Sequence, residues 1–556
     1  MLMSCGSGLL YAKEACANVY YVAPKGNDDS AGTSAAPWRT FTRAMIALKP
    51  GDTLNLMDGT YTYSGNNAGN PFAVLSVTVS GTSNNPIIIK ALNEGKAIID
   101  GGKSHDCVSV RGRSRVEING MNFINSGRDA VTVADGSTYI SFRRDLIRDF
   151  GWNDKDCHST GAAAFYTADS IGGERTTRTT HILLEDSAIY MSGFNGNTIC
   201  NCTWGPGGTC ANGARIGVNN WSSGNTFRRV WLGWDPNLGE VQDTTPFQNY
   251  GSSNTLVENC FFDGTNQTRS SVESILLSHV QPYNHGTIAN NAALGNIILN
   301  GSGYSIIVDD NSTQAHPTNN LLKDNVSIGN TWGFANEGDD NFHVINNTIA
   351  SPTNGYRGTQ PVPANITYSS CSVADPASPC YKKGTGVTLN TYGLNNSYYK
   401  CTDTNPAYSK QAGGVGASLD NGSVLFTIES KYDNFDACSP IFTDPGKYIK
   451  SAPGTPLTLA ANYDTATYGK GAYLMVPPSL QGVSKIDGAY HIKTASSRDI
   501  GAEVLFRYQD GVLSNIPLWP WPMEARIFKE TGISVTWEKN RGLWKTLKKV
   551  YPAKSK

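Results

Sequence analysis

The residues best equipped for chemistry in this 556-residue chain are a few acids, bases and indoles in a charge-poor background. Asp309 and Asp310 are consecutive, and Glu337, Asp339 and Asp340 follow one repeat interval later. If the repeats stack, these five carboxylates fall side by side. Adjacent like charges repel, so such a cluster calls for a hard cation, with calcium the natural choice. A solvated, Asp-rich turn is the competing reading. Asp149, Asp154, Asp156 and His158 form a smaller group of the same kind. Three basic residues are candidates for proton transfer or for neutralising substrate charge. Arg215, within Ala214-Arg215-Ile216-Gly217-Val218, alternates outward if Ile216 and Val218 point inward. His279 ends a comparable strand and Arg269 precedes it. Each could equally sit in a surface ion pair. Tyr166, Trp204, Trp221 and Trp234, with Trp152 and Trp231, are the candidate sugar-stacking rings, since aromatic faces pack on pyranose C–H groups. Ordinary core packing is the alternative for each.

These residues need a scaffold that repeats. A β-strand grammar (turn, short strand, Asn, Asp or Gly stop) recurs from Val116, Tyr139, His181, Asn225, Asn254, Thr287, Asn320 and Asn341. Each has an earlier partner strand: 130–135, 164–169, 214–219, 274–279, 305–310 and 332–337. The pattern predicts an all-β solenoid, a parallel β-helix, with inward rows such as Val131 with Val133 and Ile216 with Val218. A β-sandwich or propeller fits less well, because no hairpin signal of the Asn-Gly type recurs between alternating strands. Helical periodicity is confined to 40–48, stopped by Pro50-Gly51, and to 522–531, between Pro522 and Gly532. Their positions suit short capping helices near both ends of a solenoid. Three insertions, near 150–178, 192–213 and 235–250, belong to neighbouring coils and would wall a groove.

Composition narrows the function. There are 45 basic and 46 acidic side chains, and charged residues make up only 16%. That balance argues against nucleic acid as a partner. No apolar run is long enough to span a membrane. Glycine is high at 58 residues, as turns require. The low charge also suits stacked rows, where like charges repel while Asn, Ser and Thr pair with their own kind. Nucleophile-elbow and phosphate-loop motifs are missing. Among 12 cysteines, Cys200, Cys202 and Cys210 share one Gly-rich stretch and read as a disulfide staple or, less readily, a metal site. Cys371 with Cys380 and Cys401 with Cys438 lie in loop-like sequence, and Cys107 and Cys260 look like buried free thiols. Residues 1–17, ending Ala15-Cys16-Ala17, read as the remnant of an export signal, which predicts a secreted or cell-surface protein.

Tyr20-Tyr21-Val22-Ala23-Pro24-Lys25-Gly26-Asn27-Asp28, Pro37-Trp38-Arg39-Thr40, Lys49-Pro50-Gly51-Asp52-Thr53 and Asp58-Gly59-Thr60-Tyr61 together resemble the N-terminal cap of secreted right-handed parallel β-helix proteins. That superfamily includes pectate lyases, chondroitinase B-like and alginate lyases and NosD-like proteins. Pro440-Ile441-Phe442-Thr443-Asp444-Pro445 and Ser451-Ala452-Pro453-Gly454-Thr455-Pro456 are similar to its closing coil. The resemblance implies a β-helix over 18–460 and a C-terminal capping or extension segment over 461–556, which could dock a surface or assembly partner. It also implies an acidic polysaccharide as partner. In the resembling lyases the base is Lys or Arg, sometimes Tyr or His, and calcium often bridges substrate and acidic residues. Those roles fall here on Arg215, His279 or Arg269, and on Asp309, Asp310, Glu337, Asp339 and Asp340. A polygalacturonase-type hydrolase is disfavoured, because Gly-His-Gly and Arg-x-Lys are lacking. The two functional readings are a lyase on an anionic glycan with Ca2+, and a non-catalytic glycan-binding or surface-structural protein.

Overall fold

The computed structural model describes residues 17–65, 72–152, 160–169, 177–193, 212–236, 244–264, 273–280, 288–299, 301, 304–310, 317–328, 332–336, 341–345, 347–350, 387–394, 397–399, 415–418, 424–431, 483–486, 489–492, 506–518 and 520–535. Among them, successive coils add strands in turn to three long sheets of 14, 9 and 11 strands. Pairing is parallel throughout the nine- and eleven-stranded sheets, and the expected parallel β-helix is the observed fold. The nine-stranded sheet carries the candidate site and consists of β1 (Ala73–Val77), β2 (Asp106–Arg111), β3 (Val131–Ala134), β4 (Thr160–Ala168), β5 (Asn212–Trp221), β6 (Thr244–Tyr250), β7 (Glu273–Val280), β8 (Tyr304–Asp310) and β9 (Trp332–Asn336). Residues anticipated as one long insertion over 235–250 include β6. Its Thr-Thr-Pro-Phe-Gln-Asn-Tyr sequence hides the strand, because Pro246 interrupts the usual signal.

Register explains the core. Val131 and Val133 pair with Val108 and Val110, so identical faces stack rung on rung. Val218 joins this continuous core, whereas Ile216 is buried but outside it. Phe123, Phe142, Phe165, Phe227 and Phe247 run through the interior edge to face, with centroids 5.1 to 6.4 Å apart. At one bend buried amides hand hydrogen bonds down the stack. Asn296 Nδ2 donates to Asn325 Oδ1, and Asn325 Nδ2 to Asn347 Oδ1, each at 2.9 Å. Cys107 and Cys260 are buried free thiols, and burial pushes both upward, Cys260 to about 12. The other ten cysteines lie outside the described residues.

Charge does enter the stacked rows, with alternating sign. Arg143, Glu185, Arg228 and Glu258 occupy one register position on successive rungs of the 14-stranded sheet. Arg143 Nε and Arg228 Nε donate to the two Glu185 oxygens at 2.9 and 2.8 Å. These guanidinium groups, with that of Arg229, hold the Glu185 carboxyl below its ordinary range against the opposing effect of burial. Burial raises Glu258.

Two helices frame the stack. Helix α1 (Phe41–Ala47) is N-capped by Thr40, whose hydroxyl accepts from the Arg43 N–H, and buries Phe41, Ala44 and Met45 over the first coils. Helix α2 (Glu524–Thr531) lies elsewhere than over the last coil. Arg526 Nη1 donates to the Arg144 carbonyl at 2.6 Å and pairs with Glu94, while Nη2 reaches Met121 and Asn122. The hairpin of Phe506–Gln509 and Val512–Pro517 docks on the same flank. Tyr508 is buried against Ala292 and Leu294, and its hydroxyl donates to Asp324. Gly295 makes room for it, since a Cβ there would lie 2.9 Å from the Tyr508 ring. Asp510 pairs with Arg228 at 2.9 Å, and Trp521 meets Phe261 edge to face at 5.6 Å. The described C-terminal residues therefore form a strap along the side of the solenoid.

Candidate functional site

The nine-stranded sheet gathers most of the described candidate residues. One row begins with Thr132 and continues through Tyr166, Asn219, Gln248, Leu276 and Ile307. Two residues further along the strands lies a second row. Ala168 pairs with Trp221, Tyr250 with His279, and His279 with Asp309. Trp221 and Tyr250 join the two halves of this row, with ring centroids 4.8 Å apart and planes 19° apart. Trp221 Nε1 donates to Asn219 Oδ1 at 2.7 Å, which ties the two rows together. Successive rungs lie about 4.8 Å apart, so the register positions of Trp221, Tyr250, His279 and Asp309 span about 15 Å across the sheet.

The sequence forces this alignment. Strand β7 carries one extra residue between Leu276 and Ser278 relative to both neighbours. A β-bulge shifts everything after it by one position. That shift puts His279, not Ser278, beside Tyr250.

Arg215 is on the same sheet but at its other margin, pairing with Ala162 and Thr244. Six residues of β5 separate it from Trp221, about 20 Å of extended chain. Arg215 and His279 therefore stand at opposite margins of the sheet. Trp234 is 4% exposed within the core, so its ring faces no ligand and the substrate-binding expectation gives way to packing. Trp231 is likewise fully buried. Trp152 is covered by the Lys103 ammonium at 3.7 Å. Asp310 pairs with Val280, and Val308 with Asn336. Trp204, Arg269, Glu337, Asp339, Asp340, Asp154, Asp156 and His158 lie outside the described residues. Among the described residues no group of three or more His, Cys, Asp and Glu side chains is gathered to hold a metal.

Two features escaped the sequence. Tyr250 was hidden by the unrecognised strand β6. Asp106 and Asp129 carry no sequence signal, because neither sits in an acidic run. Register places them on neighbouring rungs, since Val108 pairs with Val131. Asp129 is buried and accepts from the Ala163 N–H at 2.8 Å. Burial, reinforced by the Asp129 charge, raises Asp106 to about 8.

With this geometry in hand, residues 20–161 match the family model described as the Pel9A-like right-handed β-helix region. That match covers about a quarter of the chain and, with the observed parallel β-helix, makes it similar to the right-handed parallel β-helix superfamily. Within that superfamily its sequence is similar to pectate lyase PEL9 of Emericella nidulans, 37% identical over 81 residues, covering 15% of this chain and 18% of that one. It is similar in the same measure to pectate lyase L of Dickeya dadantii, 37% identical over 83 residues, covering 15% and 19%. The aligned stretch thus amounts to under a fifth of either relative. A solved rhamnogalacturonan lyase aligns with 75% of this β-helix chain and 88% of its own, at 16% identity and a TM-score of 0.42.

Proposed function

We propose that this β-helix protein acts on an anionic polysaccharide, cleaving it by β-elimination on the outer face of the nine-stranded sheet. The observation that carries the reading is the row Trp221, Tyr250, His279, Asp309. Stacked rings offer a platform for pyranose units, and the next rung along the same line holds a residue able to take a proton. In β-elimination a base removes the proton beside the uronate carboxyl, the charge so formed is stabilised, and the glycosidic oxygen departs. His279 is assigned the base. Arg215, or Arg269 outside the described residues, is assigned a substrate carboxylate further along the chain. Tyr166, Asn219 and Gln248 line the row beside the platform. The similarity to pectate lyases and the Pel9A-like match over residues 20–161 support this substrate class.

Calcium belongs to the same proposal. Asp309 and Asp310 carry hard oxygen donors at the end of the strand in register with His279 and Val280, the kind of ligand calcium takes. They would hold the ion together with Glu337, Asp339 and Asp340, and it would supply positive charge for the substrate carboxyl. Such a polymer lies outside the cell, in keeping with the export-like residues 1–17. The β-helix of 18–460 is the catalytic body in this proposal, and 461–556 its extension. Incubation with a panel of uronate polysaccharides tests the reading through ultraviolet absorbance of the unsaturated product. Binding without any new absorbance would favour a glycan-binding role instead.

A further inference from the structure

A separate row of exposed residues runs along a corner of the solenoid, where each coil turns into the 14-stranded sheet. Register aligns Arg115, Tyr139, His181, Gly224, Asn254, Asn290 and Asn319 on seven successive rungs. All seven are left-handed, with φ between 55° and 71° for Tyr139, His181, Gly224, Asn254 and Asn319 and 58° and 61° for Arg115 and Asn290. A non-glycine residue in this region is strained, least so for asparagine. Asparagine is thus the expected occupant, and it fills the last three rungs. There Asn290 Nδ2 donates to Asn254 Oδ1 at 3.3 Å, and Asn319 to Asn290.

The first three rungs hold a π stack instead. The Arg115 guanidinium lies 3.5 Å from the Tyr139 ring centre, and Tyr139 stacks on His181 at 4.3 Å with planes 22° apart. The His181 ring is further fixed by Thr180 Oγ1, 2.8 Å from its Nδ1. Tyr139 is 42% exposed, so the stack faces solvent. Between the stack and the amides stands Gly224, the one rung of the row without a side chain. A Cβ added there would meet nothing nearer than Thr180 Cβ at 4.0 Å. The ring of His181 and the amide of Asn254 are two rungs apart, about 9.6 Å, with one layer missing between them.

We infer that this missing layer is a sugar-binding slot, in which one pyranose ring of a glycan takes the place of the absent side chain at Gly224. One face of the ring would meet the imidazole of His181, as C–H groups meet a π face. The opposite side would meet the Asn254 amide, whose oxygen is already engaged by Asn290 and whose NH2 is a donor for a ring hydroxyl. An amide on one wall favours a hydroxylated ring over a purely apolar one. The slot begins three residues beyond Trp221 on the same chain, so it would hold a glycan strand at the edge of the proposed groove while taking no part in cleavage.

The test uses the full chain with histidine-selective isotope labelling, and a galacturonate trimer and cellotriose as probes. The His181 and His279 resonances are identified by their loss in His181→Ala and His279→Ala. A saturable shift of His181 with either trimer is expected. Gly224→Asn, which suits the φ and continues the amide row, should weaken that response about tenfold or more. An unmoved His181 with both probes, or an unchanged response in Gly224→Asn, overturns the slot. A shift of His279 alone would do the same while leaving the proposed groove intact. If Gly224→Asn does not fold, His181→Ala in a competition assay with the trimers replaces it, and unchanged affinity there overturns the inference.

Discussion

Trp221 and Tyr250 stack face to face, 4.8 Å apart, on adjacent rungs of the nine-stranded sheet, and Tyr250 is in turn in register with His279. Neither ring belongs to the continuous core inside the coils, although Tyr250 packs against the buried Leu276 and Ile307. Trp221→Ala should therefore weaken polymer binding by about 1 to 2 kcal/mol, the scale of one lost stacking partner with its area. The fold should survive nearly unchanged. Calorimetric titration with an oligouronate, next to a thermal melt, separates the two effects.

The alternating row Arg143, Glu185, Arg228, Glu258 sets a different expectation. Arg228→Met leaves Glu185 and Glu258 facing each other's rungs with their shared cation gone. Breaking a buried ion pair from one side costs about 3 to 5 kcal/mol. Asp510→Ala removes only the exposed partner of the same guanidinium, 73% accessible in the fold, and should cost under about 1 kcal/mol. Urea unfolding midpoints of the two variants should rank in that order.

The fold was legible in the sequence because a solenoid writes itself as a period. Strand starts at Val116, Tyr139 and His181 fall on consecutive rungs of one sheet, as Ile140 pairing with Val116 and Ile182 shows. The site was less legible because register depends on single residues. One bulge in β7 decides that His279 neighbours Tyr250, and no composition rule reports a bulge. Trp234 looked like a ligand-facing ring because indoles serve surfaces and cores alike. Helix α2 was expected over the solenoid's end, since its place in the chain says nothing about a strap that folds back to Glu94 and Asn122.

That strap should be a stabilising element. Trp521 is 2% exposed and packs on Phe261. Trp521→Ala should cost about 3 kcal/mol or more and expose 506–535 to proteolysis. Limited digestion followed by mass spectrometry checks whether cleavage concentrates there, while the coils stay protected.

Stability should also fall as pH rises from about 4 to 8. Asp106 keeps its proton in the folded chain up to about 8, driven first by burial and then by the Asp129 charge, whereas the unfolded carboxyl releases it near 3.8. Between those values the folded state binds more protons, so its contribution is complete below the lower value and is lost through the upper one. Asp106→Asn should flatten this dependence. Melting temperatures of both proteins across that range decide it.

Calcium makes a further separable expectation. Chelation should abolish cleavage, and added calcium should restore it. Asp309→Asn together with Asp310→Asn should raise the calcium needed for half-maximal activity by about tenfold or more. Activity indifferent to a chelator would remove the ion from the scheme and leave the protein groups alone.

The central claim is that the row from Trp221 to Asp309 is where a uronate polymer is cleaved. Its most direct test is the ultraviolet absorbance of the unsaturated product, followed with the wild-type chain and His279→Ala on the same polymer. Product is expected from the wild type, with a fall of about a hundredfold or more in His279→Ala and binding retained. Full activity in His279→Ala, or no unsaturated product from any uronate polymer with the wild type, would contradict it.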